Sequence, residues 1–546
     1  MAIQTVDPAP PADEPPAPDL PEDDLPTTAT RYLSVGAYVD SHFRNRCLRD
    51  VYHQRRRPVA PSYGFDLGTV LWHCLRARRL TIWRDASIIL VVGLVAYLDW
   101  RALVAVGAAM IGMGMTSPAM HVAGTCYRRG HLIEDGEAAW RTRLAVAKLI
   151  LWAAAWLTLA VLTARILSSA PRPIADLPHP GIVGAAIPAV VLLFALPCFF
   201  SLWRQKRIRN FASDRPMPAA GDNARLRDIN SQRTANTVIY SNFEPFIGSG
   251  DVISTWGFAT RLVRKPHDAT GVTGSDEGRR EFANPPFTAE EIVSYVRFHL
   301  GRLTAGDAET TIPNLTVDDR IFLSAGEHGV RDLITGPDRI AEIIRNPTQP
   351  ARHYLVCQVL AWGGEVVTTV HVHLAVQGRS LYLEVTTTSM APCNERYRIV
   401  DLEGGRGPRA WVRAIGSGIR ETPGTIAAAP VHLIRTLADM AGPRQRSRRR
   451  RRRLADRGAM VSVRQLGTED ELRNFTQRKD VLKFRRLIEI RVYAHVLDFL
   501  DACDVDTTEY RARGASVLNV GVINNGESVI NGDVAGTSNQ TEKAES

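Results

Sequence analysis

Between residues 82 and 203 the chain carries four apolar stretches, and the local Arg and Lys fall almost wholly at their flanks. The stretches are 88–98, 102–122, 144–164 and 181–203. At about 1.5 Å per residue, the last two are long enough to cross the hydrocarbon core of a bilayer. The stretch 88–98 is short for a span, and Asp99-Trp100-Arg101 separates it from 102–122 with charges that are costly in hydrocarbon. The pattern predicts a transmembrane region over 86–203 of about four helices. A two-span core with 88–122 as a re-entrant hairpin is the alternative.

The flanking charges set an orientation. Arg76, Arg78, Arg79 and Arg84 precede the first stretch, and Arg128, Arg129, Arg141 and Arg143 lie between the second and third. Arg204, Lys206, Arg207 and Arg209 follow the fourth, while the two remaining connections hold only Arg101 and the pair Arg165 and Arg172. Cytoplasmic loops collect Lys and Arg, so both termini are expected in the cytoplasm and the chain in the plasma membrane as a multi-pass protein. Trp83, Trp100 and Trp203 sit near span ends, where interfacial Trp belongs. Lys148 is the one charge inside a span, close enough to an edge to snorkel, so an anchor fits better than a channel or transporter.

Residues 1–30 hold eight Pro and seven acidic residues with no Lys or Arg. Such a segment cannot bury enough apolar surface to order itself, and it lacks the basic start and apolar run of a cleaved signal. A disordered N-terminal tail is expected. Residues 31–85, with Tyr32, Tyr38, Phe43, Tyr52 and Arg55-Arg56-Arg57, read as a cytoplasmic juxtamembrane segment lying near anionic lipid. The seven Cys form no CxxC and their number is odd, which argues against a disulfide scaffold or zinc knuckle and fits a reducing compartment.

After a basic linker at 204–233, the pattern predicts a cytoplasmic α+β domain over 234–441. Residues 236–240 and 258–263 read as strands around a hairpin turn at Gly248-Ser249-Gly250. Thr288-Ala289-Glu290-Glu291 is a capping box for a helix over 289–303, with Phe287 and Ile292 as a staple. Residues 353–362, 365–377 and 380–389 are β-rich runs joined by short Gly-containing turns, which is an antiparallel β-meander. Helical pieces are expected at 336–345 and 425–440. The fold class is therefore a membrane α-helical region of about four spans plus a cytoplasmic α+β domain with an antiparallel β-meander, preceded by a disordered tail.

Chemistry is sparse. His371 and His373 share a strand face at a usable metal-ligand spacing, and Glu384 on the next strand offers a carboxylate. A polar, half-buried strand face explains the same residues. No P-loop, GxSxG, HExxH or kinase signature is present, so no catalytic residue, cofactor or metal is assigned. A membrane-bound enzyme with its site on the meander is kept as an alternative.

The linker 442–467 contains Arg444, Arg446, Arg448, Arg449, Arg450, Arg451, Arg452 and Arg453. Charge this dense keeps a segment extended and suits anionic lipid headgroups. Without interleaved aromatics, nucleic acid is a poor fit. Thr468-Glu469-Asp470-Glu471 reads as a second capping box, starting an amphipathic helix within 468–510 whose face is Val481, Phe484, Ile488, Val492, Val496 and Phe499. In the tail, 515–536, Val522-Ile523-Asn524 recurs as Val529-Ile530-Asn531, each followed closely by Gly. Short β-arcs of that kind stack between chains, so these six residues are candidate self-association contacts.

The tail is similar to the Gly/Asn-rich β motifs of bacterial amyloid-signalling proteins. With its "VIYSNFEPFIGSG…WGFATRLV", "RHYLVCQVLAWGGEV" and "DTTEYRARGASVLNVGVINNG" segments, the whole chain resembles actinobacterial multi-span membrane proteins with a cytoplasmic α+β domain. That resemblance implies a shared architecture and no activity. The expected function is a membrane-anchored interaction or signalling protein. Its partners would be the bilayer, anionic headgroups, and either a second copy or a protein effector at the C-terminal tail.

Overall fold

The computed structural model describes residues 27–129 and 181–520, apart from 56, 213–216, 218–220, 222, 233–234, 242–243, 267–279, 306–308, 326–332, 404–407, 441–457 and 470. Residues 1–26 of the expected disordered tail, the third apolar stretch, the Arg block and the Val-Ile-Asn repeat lie outside the described residues, whereas 27–30, expected in that tail, are the cap and buried first turn of a helix.

The chain opens with helix α1 (Thr28–Val39) and helix α2 (Ser41–Arg46), which runs into a π-helical turn at Cys47–Tyr52. Thr27 caps α1 by accepting from the Thr30 amide, and Asp40 caps α2 by accepting from His42 and Phe43. Small and apolar residues surround α1, so it is buried on nearly every side. Ala29, Leu33, Val35 and Ala37 are fully enclosed. They share a core with Leu67–Ala77, Ile208, Phe211, Ile229, Tyr397 and Val463. The segment expected to lie near lipid is therefore largely an interior layer, because its aromatics find apolar partners from distant parts of the chain.

Helix α3 (Leu67–Arg129) is 63 residues long and passes through 99–101 without interruption. Helix α4 spans Gly181–Ile208 with Pro188 and Pro197 inside it. Helix α5 (Ala224–Ser231) follows, capped by Asn223. The start of α3 clusters with the end of α4, and Ile88 and Val95 with Ala189 and Leu193, so the two helices run antiparallel. This corrects the expectation of about four spans. The charges at Asp99 and Arg101 weigh against hydrocarbon but do not break backbone hydrogen bonds, so the two predicted spans, and the re-entrant hairpin, are one helix. Among the described residues only two helical segments, Leu67–Tyr97 and Pro188–Phe211, are long and apolar enough to cross a membrane.

Among the described residues, the strands form one six-stranded sheet. Its strands are β1 (Thr237–Tyr240), β2 (Asp251–Arg261), β3 (Leu315–Ser324), β4 (Arg352–Ala361), β5 (Val366–Gln377) and β6 (Ser380–Met390), in the order β1-β3-β4-β5-β6-β2. β1 lies parallel to β3 and every other pair is antiparallel. The meander is β4-β5-β6, as its alternating β-branched runs predict. Gly378 and Arg379 both take positive φ between Gln377 and Ser380, which are paired, giving the two-residue turn that matches strand twist.

Gly248-Ser249-Gly250 is not a hairpin turn. β1 and β2 occupy opposite edges of the sheet, and the glycines belong to the connection that crosses it. Gly250 has φ +92°, and a Cβ there would meet the Ser389 carbonyl oxygen at 2.1 Å, so close backbone approach explains the residue type.

Helices α6 (Ala289–Gly301), α7 (Pro337–Arg345), α8 (Pro408–Met440), α9 (Phe475–Ala502) and α10 (Thr508–Val520) complete the described helices of eight residues or more. The α6 capping box forms with both reciprocal bonds, and Phe287 and Ile292 share its core. α6 and α9 cover one sheet face, where Val293 and Val296 meet Leu355, Val372, Leu383, Ile488 and Val492. α9 starts later than its predicted box. Asn474 is its cap, while the Thr468 hydroxyl donates to the Arg464 carbonyl oxygen. α8 is longer than predicted and leaves the sheet layer to pack on α4. Ser417 bonds Ser201, Glu421 pairs with Arg204 at 3.6 Å, and the Gly418 Cα faces Cys198.

A buried arginine joins the layers. Arg464 has no exposed surface, and its guanidinium donates to the Glu365, Ala391 and Gly364 carbonyl oxygens and to Cys393 Sγ. Nearby, Arg398 forks onto the Glu365 carboxylate at 3.1 and 3.2 Å. Replacing Arg464 with Met would strand three carbonyl oxygens and leave Glu365 with less positive charge. We expect Arg464→Met to lower stability by about 3 kcal/mol or more, read from denaturant unfolding; a loss below about 1 kcal/mol would contradict the role given to it.

Candidate functional site

The second face of the sheet mixes a row of polar residues with apolar ones such as Val356, Phe322, Val367 and Met390. Strand alternation puts Leu355, Val372, Leu383 and Val385 toward α6 and α9, so Tyr354, Gln358, Thr369, His371, His373, Glu384, Thr386 and Thr388 share the opposite face. Ala60, Tyr63, Phe246, Ile247 and Ala459 roof part of that face. The buried hydroxyls find partners within the sheet. Gln358 donates to Thr369, Thr255 bonds Thr386 at 2.9 Å, and Thr388 lies 3.4 Å from His371 Nε2.

His371 is sealed, with no exposed surface and its ring centroid 4.3 Å from that of Phe246. Burial, aided by the nearby Arg320 charge, drives its pKa down to about 3, so it is neutral at ordinary pH. His373 is also buried, and its Nδ1 lies 2.8 Å from the His353 carbonyl oxygen. An N–H at Nδ1 satisfies that oxygen. Burial lowers the His373 pKa, against the raising influence of that bond and of Glu384.

Glu384 sits directly across from His373 in the β5–β6 register. Its two carboxylate oxygens accept from Tyr354 at 3.3 Å and Tyr382 at 3.1 Å. Both phenols have raised pKa values, first by burial and then by the Glu384 charge, with Tyr382 pushed up to about 12. The structure thus brings His373 and Glu384 together, as their strand positions predict, and adds Tyr354 and Tyr382. Their signal in the sequence was available: each lies two residues from a predicted site residue or from its register partner. His371 does not join this group chemically, because Phe246 and Phe322 enclose it.

A carboxylate saturated by two phenols and a neutral imidazole bonded to backbone is a structural arrangement. It supplies neither a poised acid–base pair nor an open ligand set. Among the described residues no group of three His, Cys, Asp or Glu is placed to hold a metal ion. The cavity that reaches about 280 Å³ lies elsewhere, on α9, lined by Phe475, Arg478, Lys479 and Leu482.

A second cluster on the other sheet face was not foreseen. His353 Nε2 lies 2.8 Å from Asp319, which also pairs with Arg297 of α6 at 3.1 Å. This network fixes α6 against β3 and β4. The candidate lipid contacts Arg444, Arg446 and 448–453, and the candidate self-association residues Val522, Ile523, Asn524, Val529, Ile530 and Asn531, lie outside the described residues.

The burial of His371 has a measurable consequence. Its folded pKa lies below the unfolded value, so the unfolded chain binds more protons between about pH 3 and 6.5. The stability this provides is complete above about pH 6.5 and falls as pH drops, by up to about 1.4 kcal/mol per unit. His371→Gln should flatten the acid limb of a stability-against-pH profile by that slope. An unchanged limb would refute the assignment.

With the geometry in place, comparison with known proteins adds one finding. The model of an AbeC-like domain matches residues 255–534, which is more than half of the chain. No curated protein matches the chain, and no solved structure does.

Proposed function

The chain belongs to the AbeC-like domain family, and for it we propose the role of a membrane-anchored interaction protein. The observation that carries the reading is the outward face of the α3–α4 pair. Leu90, Leu94 and Tyr97 on α3 are 72%, 56% and 77% exposed, and Val191, Leu192 and Phe199 on α4 are 61%, 47% and 59% exposed. The apolar windows of the two helices are only 17% and 22% buried. A core helix of a water-soluble domain hides such residues, whereas a bilayer is the solvent that suits them.

The charges support an orientation. Arg76, Arg79 and Arg84 near the start of α3 and Lys206 and Arg207 at the end of α4 lie at the end of the pair that meets the α1 layer. By the positive-inside bias, the sheet domain faces the cytoplasm. The family match runs from within β2 through α8, α9 and α10, so it supports a working part made of the sheet without β1 and the C-terminal helices. With the Glu384 carboxylate held by two phenols and His373 bonded to backbone, that part works by presenting surface to a partner. Arg444, Arg446 and 448–453 are proposed to hold anionic headgroups, and the Val-Ile-Asn repeat to hold a second copy or an effector.

Alkaline carbonate extraction of cell membranes tests the anchor. The full chain should stay with the pellet, and Leu90→Glu combined with Phe199→Glu should release most of it, each carboxylate costing about 3 kcal/mol in hydrocarbon. Complete release of the unaltered chain would overturn the reading.

A further inference from the structure

The outward face of α9 has no partner among the described residues. Its inward residues, Val481, Ile488, Val492 and Val496, are buried against the sheet. Opposite them, Phe475, Leu482, Leu487 and Ile490 are 72%, 42%, 43% and 42% exposed. Between these apolar residues stand Arg478, Lys479, Arg486 and Arg491, none of which makes a salt bridge among the described residues. Lys479 lies over the Phe475 ring at 5.3 Å, and the cavity of about 280 Å³ opens beside them. The stripe repeats at three and four residues and runs about 24 Å along the helix.

The described chain begins next to this stripe. A Cβ on Gly363 would lie 2.5 Å from Thr28 Oγ1, and the neighbouring Trp362 donates to Asp480 of α9 at 3.1 Å. Asp480 follows Lys479 directly. Thr27, the first described residue, therefore stands toward the Asp480 side of α9, so the 26 residues before it are tethered within reach of the stripe. They contain seven carboxylates, no Lys or Arg, and the apolar residues Ile3, Val6, Leu20 and Leu25. At about 3.1 Å per residue, a Pro-rich segment of this length reaches roughly 80 Å, more than enough to follow the stripe.

We propose that the basic and apolar stripe of α9 is the docking surface for the chain's own acidic N-terminal segment, residues 1–26. Carboxylates pair with Arg478, Lys479, Arg486 and Arg491, and Leu20 or Leu25 fills the shallow cavity at Phe475 and Leu482. The tether holds the segment at an effective concentration in the millimolar range, so weak contacts suffice. Its prolines restrict the free chain, which lowers the ordering cost of docking. The proposal stands whether or not the bundle enters a membrane.

Carbodiimide crosslinking of the full chain, read by mass spectrometry, tests it. Crosslinks should join Asp19, Glu22, Asp23 or Asp24 to Lys479 or Lys483 within one chain, at a yield independent of protein concentration. The variant Arg478→Glu, Arg486→Glu, Arg491→Glu should cut that yield several-fold, with thermal unfolding checking that the fold is kept. Independently, deleting residues 1–26 should raise the acetylation rate of Lys479 and Lys483 several-fold. Absent crosslinks, or an unchanged acetylation rate, would overturn the proposal. Crosslinks only between isotopically distinct copies would assign the stripe to a second chain instead. Crosslinks that vanish in phosphatidylserine vesicles yet persist in phosphatidylcholine vesicles would assign it to anionic lipid.

Discussion

Arg464 is the contact on which the arrangement of layers depends. A guanidinium without exposed surface is costly unless its donors are used, and here its terminal nitrogens reach two separate stretches of the chain. Gly364 and Glu365 are the turn between β4 and β5, and Ala391 and Cys393 are the exit from β6. Gly364 in turn packs on the Gly64 carbonyl, and Gly363 packs on Thr28. One side chain thus fixes the meander's end against the N-terminal layer. Since that layer contains the first turns of α3, Arg464 also sets where the long helix leaves the sheet domain. Glu365 shows the balance of forces at this point. Burial raises its pKa, while Arg398 and Arg464 pull it back down.

The meander was legible because its evidence is local. The β-branched runs alternate, and the Gly-containing turns between them have the conformations their residues favour. The Thr288 box was legible for the same reason. The predicted cap at Thr468 did not form: its hydroxyl donates back to the Arg464 carbonyl oxygen of the preceding turn, and the helix begins at Asn474, whose side chain accepts from the Thr476 amide. The split of β1 and β2 to opposite edges was not legible, since Gly248-Ser249-Gly250 has the composition of a turn and only the Ser389 backbone explains Gly250. Asp99 and Arg101 gave the wrong boundary for a related reason. They report on the solvent around a helix, whereas helix continuity is decided by backbone hydrogen bonds.

The candidate site divides the same way. The facing of His373 and Glu384 follows from strand register, which the two-residue turn at Gly378-Arg379 fixes. The isolation of His371 does not follow from anything nearby in sequence. Phe246 and Phe322 come from other parts of the chain to enclose it, and that enclosure turns a possible ligand into a neutral core residue. The packing of α8 on α4 is equally nonlocal. Pro408–Met440 follows the meander in sequence, yet Ser417, Gly418 and Glu421 meet a helix more than two hundred residues earlier.

The rotation of α9 decides which residues its outer face offers, and a polar contact sets that rotation more sharply than its apolar face. Val481, Ile488 and Val492 favour burial of one side, but apolar packing tolerates small turns of a helix about its axis. Glu489 is 1% exposed and accepts from Thr387 on β6 at 3.3 Å and from Arg485 at 2.9 Å. Turning the helix would take a buried carboxylate away from Thr387, while Arg485, four residues earlier on the same helix, turns with it; losing that buried bond is more costly than sliding methyl groups. With Glu489 held inward, Leu482, Leu487 and Ile490 cannot turn into the core, and Arg478 and Lys479 must stand outside it. The unpartnered stripe is therefore a fixed consequence of the sheet contact, and a surface fixed in this way is already shaped before anything docks on it.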